Sequence, residues 1–560
     1  MKRFVNLLGL VLWLLVNLAF AQLVADFSIN VPFYDDFDAI GSFILHSDGT
    51  FASRLLHVFD QYAEHRIGYT RMISLLYFTV FGDINFKHLL GVGVCGLITL
   101  QGLIYWVIRH KPFRFWYMFV ISLILLNFQY WENMMSAMTA LQNISAPLFS
   151  LSGLYFLSKG PSSSNRIFTY LFICLAIVTS GNGMILLPIG FLYLVWMHEG
   201  RKEIYQWILF STCLIGLYFL NYHKPPEVFG GRSNMVDVLS NPIALFQNMT
   251  LFLSSTLRGL GLSEYACFGI GGAILGYLGW YFYQLNSQKN TLNFNQRWYL
   301  LVFVFLVGTA FLVAINRGAG LENMLFSRYK IYSSLVFVVL FLVFLESFNP
   351  RYIASLFTVF AVLFSYGSLN YVSTLYNHFN ELKYASKTYH VNQRNWKGLY
   401  PPFTTDFTNA KTASQISQQL DSAGYYHVAE KIQVAEMNIV RQPVNNTQCF
   451  SFSTHVLPYH VELGMQTPPI DIDDFNCIEM RARDKVVLIP LKINFSPKDI
   501  LRKLIGKPVY VQSFYAIIPK SNVDNGNYSL NLILSNQRNV QKCFLQKFEV
   551  PYLKNLQFHN

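Results

Sequence analysis

Charged side chains are scarce in this sequence: 13% of its 560 residues, against 53% that are hydrophobic. That is about half the charged share of an ordinary soluble domain. Too little polar surface remains to cover a water-soluble globule, which excludes that class and leaves a polytopic membrane protein. Acidic residues are the scarcer sign, 30 against 42 Lys and Arg. The basic excess is nevertheless scattered singly, without the runs or stripes that bind nucleic acid. It reads instead as topology signals and lipid-headgroup contacts. Also absent are a P-loop, an HExxH and a paired CxxC, so nucleotide and zinc enzymes gain no support. The acidic run Asp471-Ile472-Asp473-Asp474 lacks the glycine and distal glutamate of a calcium loop and reads as a solvated turn. Of seven cysteines, four lie in or beside apolar runs as filler. The other three, Cys449, Cys477 and Cys543, would form one disulfide with one thiol left over in an oxidising compartment, the pair being undetermined.

What is present is a succession of apolar runs. Met1-Lys2-Arg3 and the run to about Val24 combine with Ala19-Phe20-Ala21, a small-x-small pattern that also suits a cleaved signal. Its length favours a retained first span with a cytosolic N-terminus, and Asn17 and Gln22 suit a bundle-facing helix. Residues 67–81 are too few to cross comfortably and are expected along the outer surface. The run 88–108 ends in Arg109-His110-Lys111-Pro112-Phe113-Arg114, an inner loop by the positive-inside rule. Further spans are expected near 113–130, 143–158, 167–180, 183–198, 204–221, 265–285, 298–315, 330–347 and 351–371, with 243–260 interfacial or re-entrant. That makes about eleven crossings, each needing about 20 residues, with an outward C-terminus. From about Asn377 hydropathy collapses. The tail should hold a helix broken at Gly424, then strands in VVLIPLKINF, KPVYVQSFYAIIP, NYSLNLILS and CFLQKFEVPY, with a turn at Asp524-Asn525-Gly526. The expected organisation is a membrane module over 1–376, with an outer loop at 26–87, and a periplasmic domain over 377–560.

The titratable groups gather at the outer ends of these spans. Asp35-Asp36 follows the first span, where a carboxylate can take a proton from an attacking hydroxyl; repulsion within the pair raises one pKa toward that use. A solvated acidic turn capping the next helix is the plainer alternative. Glu64-His65-Arg66 offers an acid, an imidazole and a fork suited to phosphate, or simply a surface turn. Arg317 and Arg328-Tyr329-Lys330 lie outside the ninth and tenth spans as phosphate ligands or interfacial anchors. Trp131-Glu132-Asn133, Gln142 with Asn143, and Asn182 in the Gly181-Asn182-Gly183 turn lie on the same side, either lining a substrate path or facing headgroups. If both Asp35 and Asp36 stay ionised they would take Mg²⁺ or Mn²⁺; few other hard oxygen ligands stand nearby, so metal-independent chemistry is favoured.

A first span, an outer loop opening on an acidic pair, interfacial helices, a bundle and an outer C-terminal domain together resemble the class C integral-membrane glycosyltransferases. That class includes the protein O-mannosyltransferases and the aminoarabinose transferase of lipid A. The segments VPFYDDFDAI, QYAEHRIGYTRMISLLYF, FQYWENMMSAMTALQNI, SGNGMILLPIG and FSRYKIYSSL look like motifs of a bacterial multispanning group within it, and the likeness runs over residues 1–400, including NWKGLYPP. The resemblance implies a GT-C-like, all-α membrane bundle with a soluble C-terminal α/β or β-sandwich domain, set in a bacterial inner membrane. It implies a polyprenyl-phosphate-linked sugar donor, membrane lipids around it, and a glycan, lipid or protein acceptor on the periplasmic side. By that analogy Asp35 or Asp36 is the base, and Arg66 and Arg328 are first choices for the donor phosphate. The prolines that related enzymes often carry near EHRIGYT are absent here. Three other readings stand beside it: an oligosaccharide ligase or polymerase using polyprenyl-diphosphate donors, a non-enzymatic lipid or glycan transporter, and a non-catalytic receptor or assembly scaffold whose tail binds glycans. Ligases more often carry a large loop between late spans, and transporters show repeated halves and midplane charges, neither of which is apparent.

Overall fold

The computed structural model describes residues 2–46, 50–160, 162–223, 235–286, 292–317, 321–389, 407–428, 452–456, 460–471, 476–482, 485–519, 526–535 and 540–550, with Asn392, Trp396 and Val523. The chain forms two compact units: one from Met1–Val24, Thr50–Leu75 and Leu89–Tyr371, the other from Ala25–Gly49, Leu76–His88 and Val372–Asn560.

The first unit is helical. Five helices among the described residues are long and apolar enough to cross a membrane: Lys2–Asp26, Phe86–Ile108, Phe294–Arg317, Ser327–Ser347 and Pro350–Tyr389. Arg114–Leu125, Ser163–Thr179 and Gly181–Trp196 are apolar but shorter. At 1.5 Å per residue, about 20 residues are needed to cross the hydrocarbon layer. Pro242–Ser254, 13 residues long, ends where the chain tightens into the turn Ser255–Leu260, so the apolar stretch 243–260 is broken and too short to cross as one helix. Polar side chains fasten the helices where water cannot satisfy them. The Gln101 side chain accepts from Trp13 Nε1 at 2.7 Å and Ser122 Oγ at 2.6 Å, and donates to Asn17 Oδ1 at 3.0 Å. Asn17 therefore faces the bundle as its polarity suggests, whereas Gln22 is exposed.

In the second unit the segment after Asp26 packs on residues from far along the chain. Tyr426 Oη donates to the Asn30 carbonyl at 2.9 Å, Ile84 N–H donates to the Tyr425 carbonyl at 2.7 Å, and Phe86 N–H donates to Asn30 Oδ1 at 2.8 Å. The helix Phe407–Ser422 lies on the helical turn Phe37–Ser42, where a Cβ on Gly41 would come within 2.9 Å of Ile416 and 3.2 Å of Leu420. Gly424 adopts φ +72° just past that helix, the break its sequence signals. Strands follow: β1 (Gln61–Tyr62) and β2 (His65–Arg66) belong to the first unit, and β3 (Phe452–Val456), β4 (His460–Asp471), β5 (Asn476–Arg481), β6 (Val486–Pro490), β7 (Tyr510–Pro519), β8 (Gly526–Ser535) and β9 (Val540–Val550) to the second. All pairings are antiparallel, in sheets ordered β3-β4-β7 and β6-β5-β8-β9. The four expected strand segments are β6 to β9; β3 to β5 carry weaker alternation. The register of β4 against β7 shifts between Gln466 and Ile470, where Pro468 and Pro469 supply no N–H to the ladder. Between β6 and β7, Ser496 and Asp499 form a reciprocal capping box that starts the helix Pro497–Leu504. Cys477 is buried, packed with Tyr384, Leu488 and Ile533. Cys449, residues 472–475, Asp524, Asn525 and most of the NWKGLYPP segment lie outside the described residues.

Candidate functional site

The candidate residues fall into both units. Asp35 and Asp36 belong to the second; the remaining twelve belong to the first.

In the acidic loop, Tyr34 takes φ +53°, a strained left-handed residue that turns the chain. Asp36 is fully buried, and its Oδ2 accepts from the Phe33 N–H at 3.0 Å while its own N–H donates to the Phe33 carbonyl at 3.1 Å. That reciprocal pair ties the carboxylate to its own backbone, so Asp36 shapes the loop. Asp35 is only half-buried, and its carbonyl accepts from Ala39 N–H at 2.8 Å. Sequence left the two carboxylates equivalent; burial separates them. Asp38 is exposed and accepts from Ser42 Oγ at 3.4 Å.

In the first unit, β1 and β2 pair Gln61 with Arg66 and Tyr62 with His65, leaving Ala63 and Glu64 as a two-residue turn with Ala63 at φ +46°. Such tight hairpins need positive φ. Glu64 is thus presented at the tip. Its Oε1 accepts from Arg317 Nη2 at 2.8 Å and lies 3.7 Å from His65 Nε2. Arg317 is the last residue of Phe294–Arg317. Arg66 donates from Nε to the Tyr218 carbonyl at 2.6 Å, from Nη1 to the Phe59 carbonyl and from Nη2 to the Leu220 carbonyl, with its guanidinium 5.9 Å from the Tyr218 ring. Three carbonyls, two at the end of the helix Arg201–Phe219, hold this cation in a structural role. Arg66, by analogy a first choice for the donor phosphate, thus has Nε, Nη1 and Nη2 on backbone carbonyls. A Cβ on Gly181 would stand 2.8 Å from the Tyr218 hydroxyl and 3.1 Å from His65 Nδ1, so the Gly181-Asn182-Gly183 turn closes against both. Asn182 Nδ2 donates to Thr309 Oγ1 at 3.0 Å and to Tyr332 Oη at 3.4 Å, and its Oδ1 accepts no hydrogen bond among the described residues.

A second cluster joins the turn Phe128–Met134 to the turn Ser327–Tyr329. The buried Glu132 accepts from Arg328 Nε at 2.9 Å, and its N–H donates to Ser327 Oγ at 3.2 Å. Asn133 Nδ2 donates to the Arg328 carbonyl at 3.1 Å, and Asn143 Nδ2 donates to Asn133 Oδ1 at 3.3 Å. Gln142 is buried on the same short helix, Ala137–Asn143, and Trp131 is half-buried. Lys330, only 4% exposed, donates to Tyr371 Oη at 3.3 Å and sits 4.7 Å from that ring. Tyr329 is half-buried, 6.4 Å from the Phe252 ring, which is 6.2 Å from Tyr332; Tyr332 in turn meets Asn182, linking the two clusters. Arg328 and Lys330 therefore sit at the start of Lys330–Ser347, an 18-residue helix whose first N–H groups add partial positive charge. Tyr218 and Tyr371 lie in no motif of the sequence, and Ser327 and Tyr332 lie within FSRYKIYSSL without standing out there; packing brings all four in. Among the described residues no group of three His, Cys, Asp or Glu is gathered around a cation position.

Compared with known proteins, the chain matches no family model, no curated protein and no solved structure.

Proposed function

We propose that the chain is a multi-pass membrane glycosyltransferase with about eleven crossings and a class C-like architecture, in a bacterial inner membrane with its C-terminal domain periplasmic. It moves a sugar from a polyprenyl-phosphate donor to an acceptor hydroxyl. Asp35 takes the hydroxyl proton as that oxygen attacks the anomeric carbon; the bond from that carbon to the phosphate oxygen breaks with inversion, and its electron pair leaves with the lipid phosphate. Asp36 holds the loop that carries Asp35. Arg328, Lys330 and Arg317 neutralise the departing phosphate. No metal is required in this scheme, because phosphate leaves readily when cations face it.

The observation that carries the reading is the cationic end of Lys330–Ser347: a helix N-terminus, a half-buried arginine that already answers the Glu132 carboxylate, and a nearly buried lysine within four residues. Burying such charge is costly, and it is retained where a ligand needs it. The test is transfer from polyprenyl-phosphate sugars by purified variants. Asp35→Asn should lower the rate by roughly 10²- to 10⁴-fold with the donor still bound, and Arg328→Gln should weaken donor binding. If Asp35→Asn keeps the wild-type rate, Asp35 is not the base.

A further inference from the structure

The second unit contains a cleft of about 340 Å³, lined by none of the residues given a role above and within the size range of small-ligand sites. Phe27, Tyr376, Phe379, Tyr384 and Phe514 form its apolar walls. These rings are braced: Phe27 meets Tyr376 edge-on at 5.7 Å and Phe379 at 6.0 Å, and Tyr384 Oη both donates to the Asn476 carbonyl at 3.2 Å and accepts from the Asn476 N–H at 3.1 Å. Polar groups of both signs stand among them: Lys383, Lys503, Asn380 and Asp26. Lys383 Nζ lies over the Phe379 ring, 5.8 Å from its centroid, so the cation and one face of that ring meet in the cleft. The Asn380 carboxamide makes no hydrogen bond to another described residue, leaving donors and an acceptor for a ligand.

Rigid aromatic faces with interleaved amide, carboxylate and ammonium groups match one chemistry well. A pyranose ring has apolar C–H faces to lay on an aromatic ring and equatorial hydroxyls for the amide and carboxylate. The two lysines against one aspartate favour a negatively charged sugar. We propose that this cleft binds a short acidic oligosaccharide, with Phe379 as stacking platform, Asn380 and Asp26 reading hydroxyls, and Lys383 and Lys503 holding the carboxylate.

The proposal is independent of the transfer reaction, since binding is read without turnover. The full-length protein in phosphatidylcholine nanodiscs is titrated with fluorescently labelled tetragalacturonate and with maltotetraose, its neutral counterpart, at physiological salt. Tetragalacturonate should bind at least ten times more tightly. The double variant Lys383→Gln/Lys503→Gln should bring the two probes level, and Phe379→Ala should weaken both by tenfold or more, with thermal unfolding unchanged in the lysine variant. Failure of tetragalacturonate to bind, or equal binding by wild type and both variants, overturns the proposal. So does binding to the wild type that inorganic sulfate at equal charge removes completely, because that would be charge attraction without a sugar site. Absence of transfer by the wild-type protein with this binding intact would instead count against the proposed transfer reaction alone.

Discussion

Glu479 is fully buried in the second unit and answers three donors: Lys542 Nζ at 3.0 Å, Asn531 Nδ2 at 2.8 Å and Arg481 Nη2 at 2.5 Å. Burial lowers the Lys542 ammonium's pKa even though Glu479 draws it back up, so desolvation outweighs the attraction between them. Glu479→Gln would leave that ammonium buried without its counter-charge, at a cost of roughly 3–5 kcal/mol. Thermal unfolding of the full chain measures it, and adding Lys542→Met should restore most of the loss; an unshifted single variant would mean the pair is not buried as described. The same arithmetic of paired charge runs through the first unit, in Glu64 with Arg317 and Glu132 with Arg328. These residues were conspicuous in the sequence because charge is rare there. Their pairing was not, since residues separated by 253 and 196 positions give no local signal of contact. Arg66 marks the limit of such reading: its guanidinium is taken up by backbone carbonyls, whose positions no composition reveals.

Among the elements, close approach decides where the helices meet. A Cβ on Gly271, in the helix Glu264–Asn286, would stand 2.0 Å from the Thr250 carbonyl oxygen, whereas one on the adjacent Gly272 would meet nothing within 4 Å. Small residues permit such helix contacts in membranes. Gly271→Ala should therefore cost roughly 1–3 kcal/mol by overpacking, and Gly272→Ala next to nothing. Unfolding of detergent-purified protein reads both; equal behaviour would place that contact elsewhere. Element type was largely legible, because helical runs here are apolar and the tail's later strands alternate. Element ends were less so. Residues 113–130 read as one span, yet the helix Arg114–Leu125 stops where Asn127 turns inward, its amide donating to Ser334 Oγ at 2.9 Å and its Oδ1 accepting from Gln129 N–H at 3.1 Å. A polar residue within an apolar run looks like a tolerated exception until its partner, 207 positions away, is known.

For the whole molecule, five long apolar helices make membrane integration the physical expectation. Alkaline carbonate should leave the full chain in the membrane pellet, and its release into the supernatant would sink that expectation. By itself the sequence determined the class of protein and the helical body followed by a strand-bearing tail. It also singled out the rare charged residues on which any chemistry must rest. All of these follow from composition and short-range periodicity, which each segment carries on its own. Only the tertiary structure decided that residues just past the first helix pack with segments some 400 positions later. It also decided that Asp36 is sealed while Asp35 is half open, and that aromatic rings from three separate stretches of chain enclose one cleft. Burial and pairing are properties of neighbours in space, and the chain alone does not say which neighbours those are.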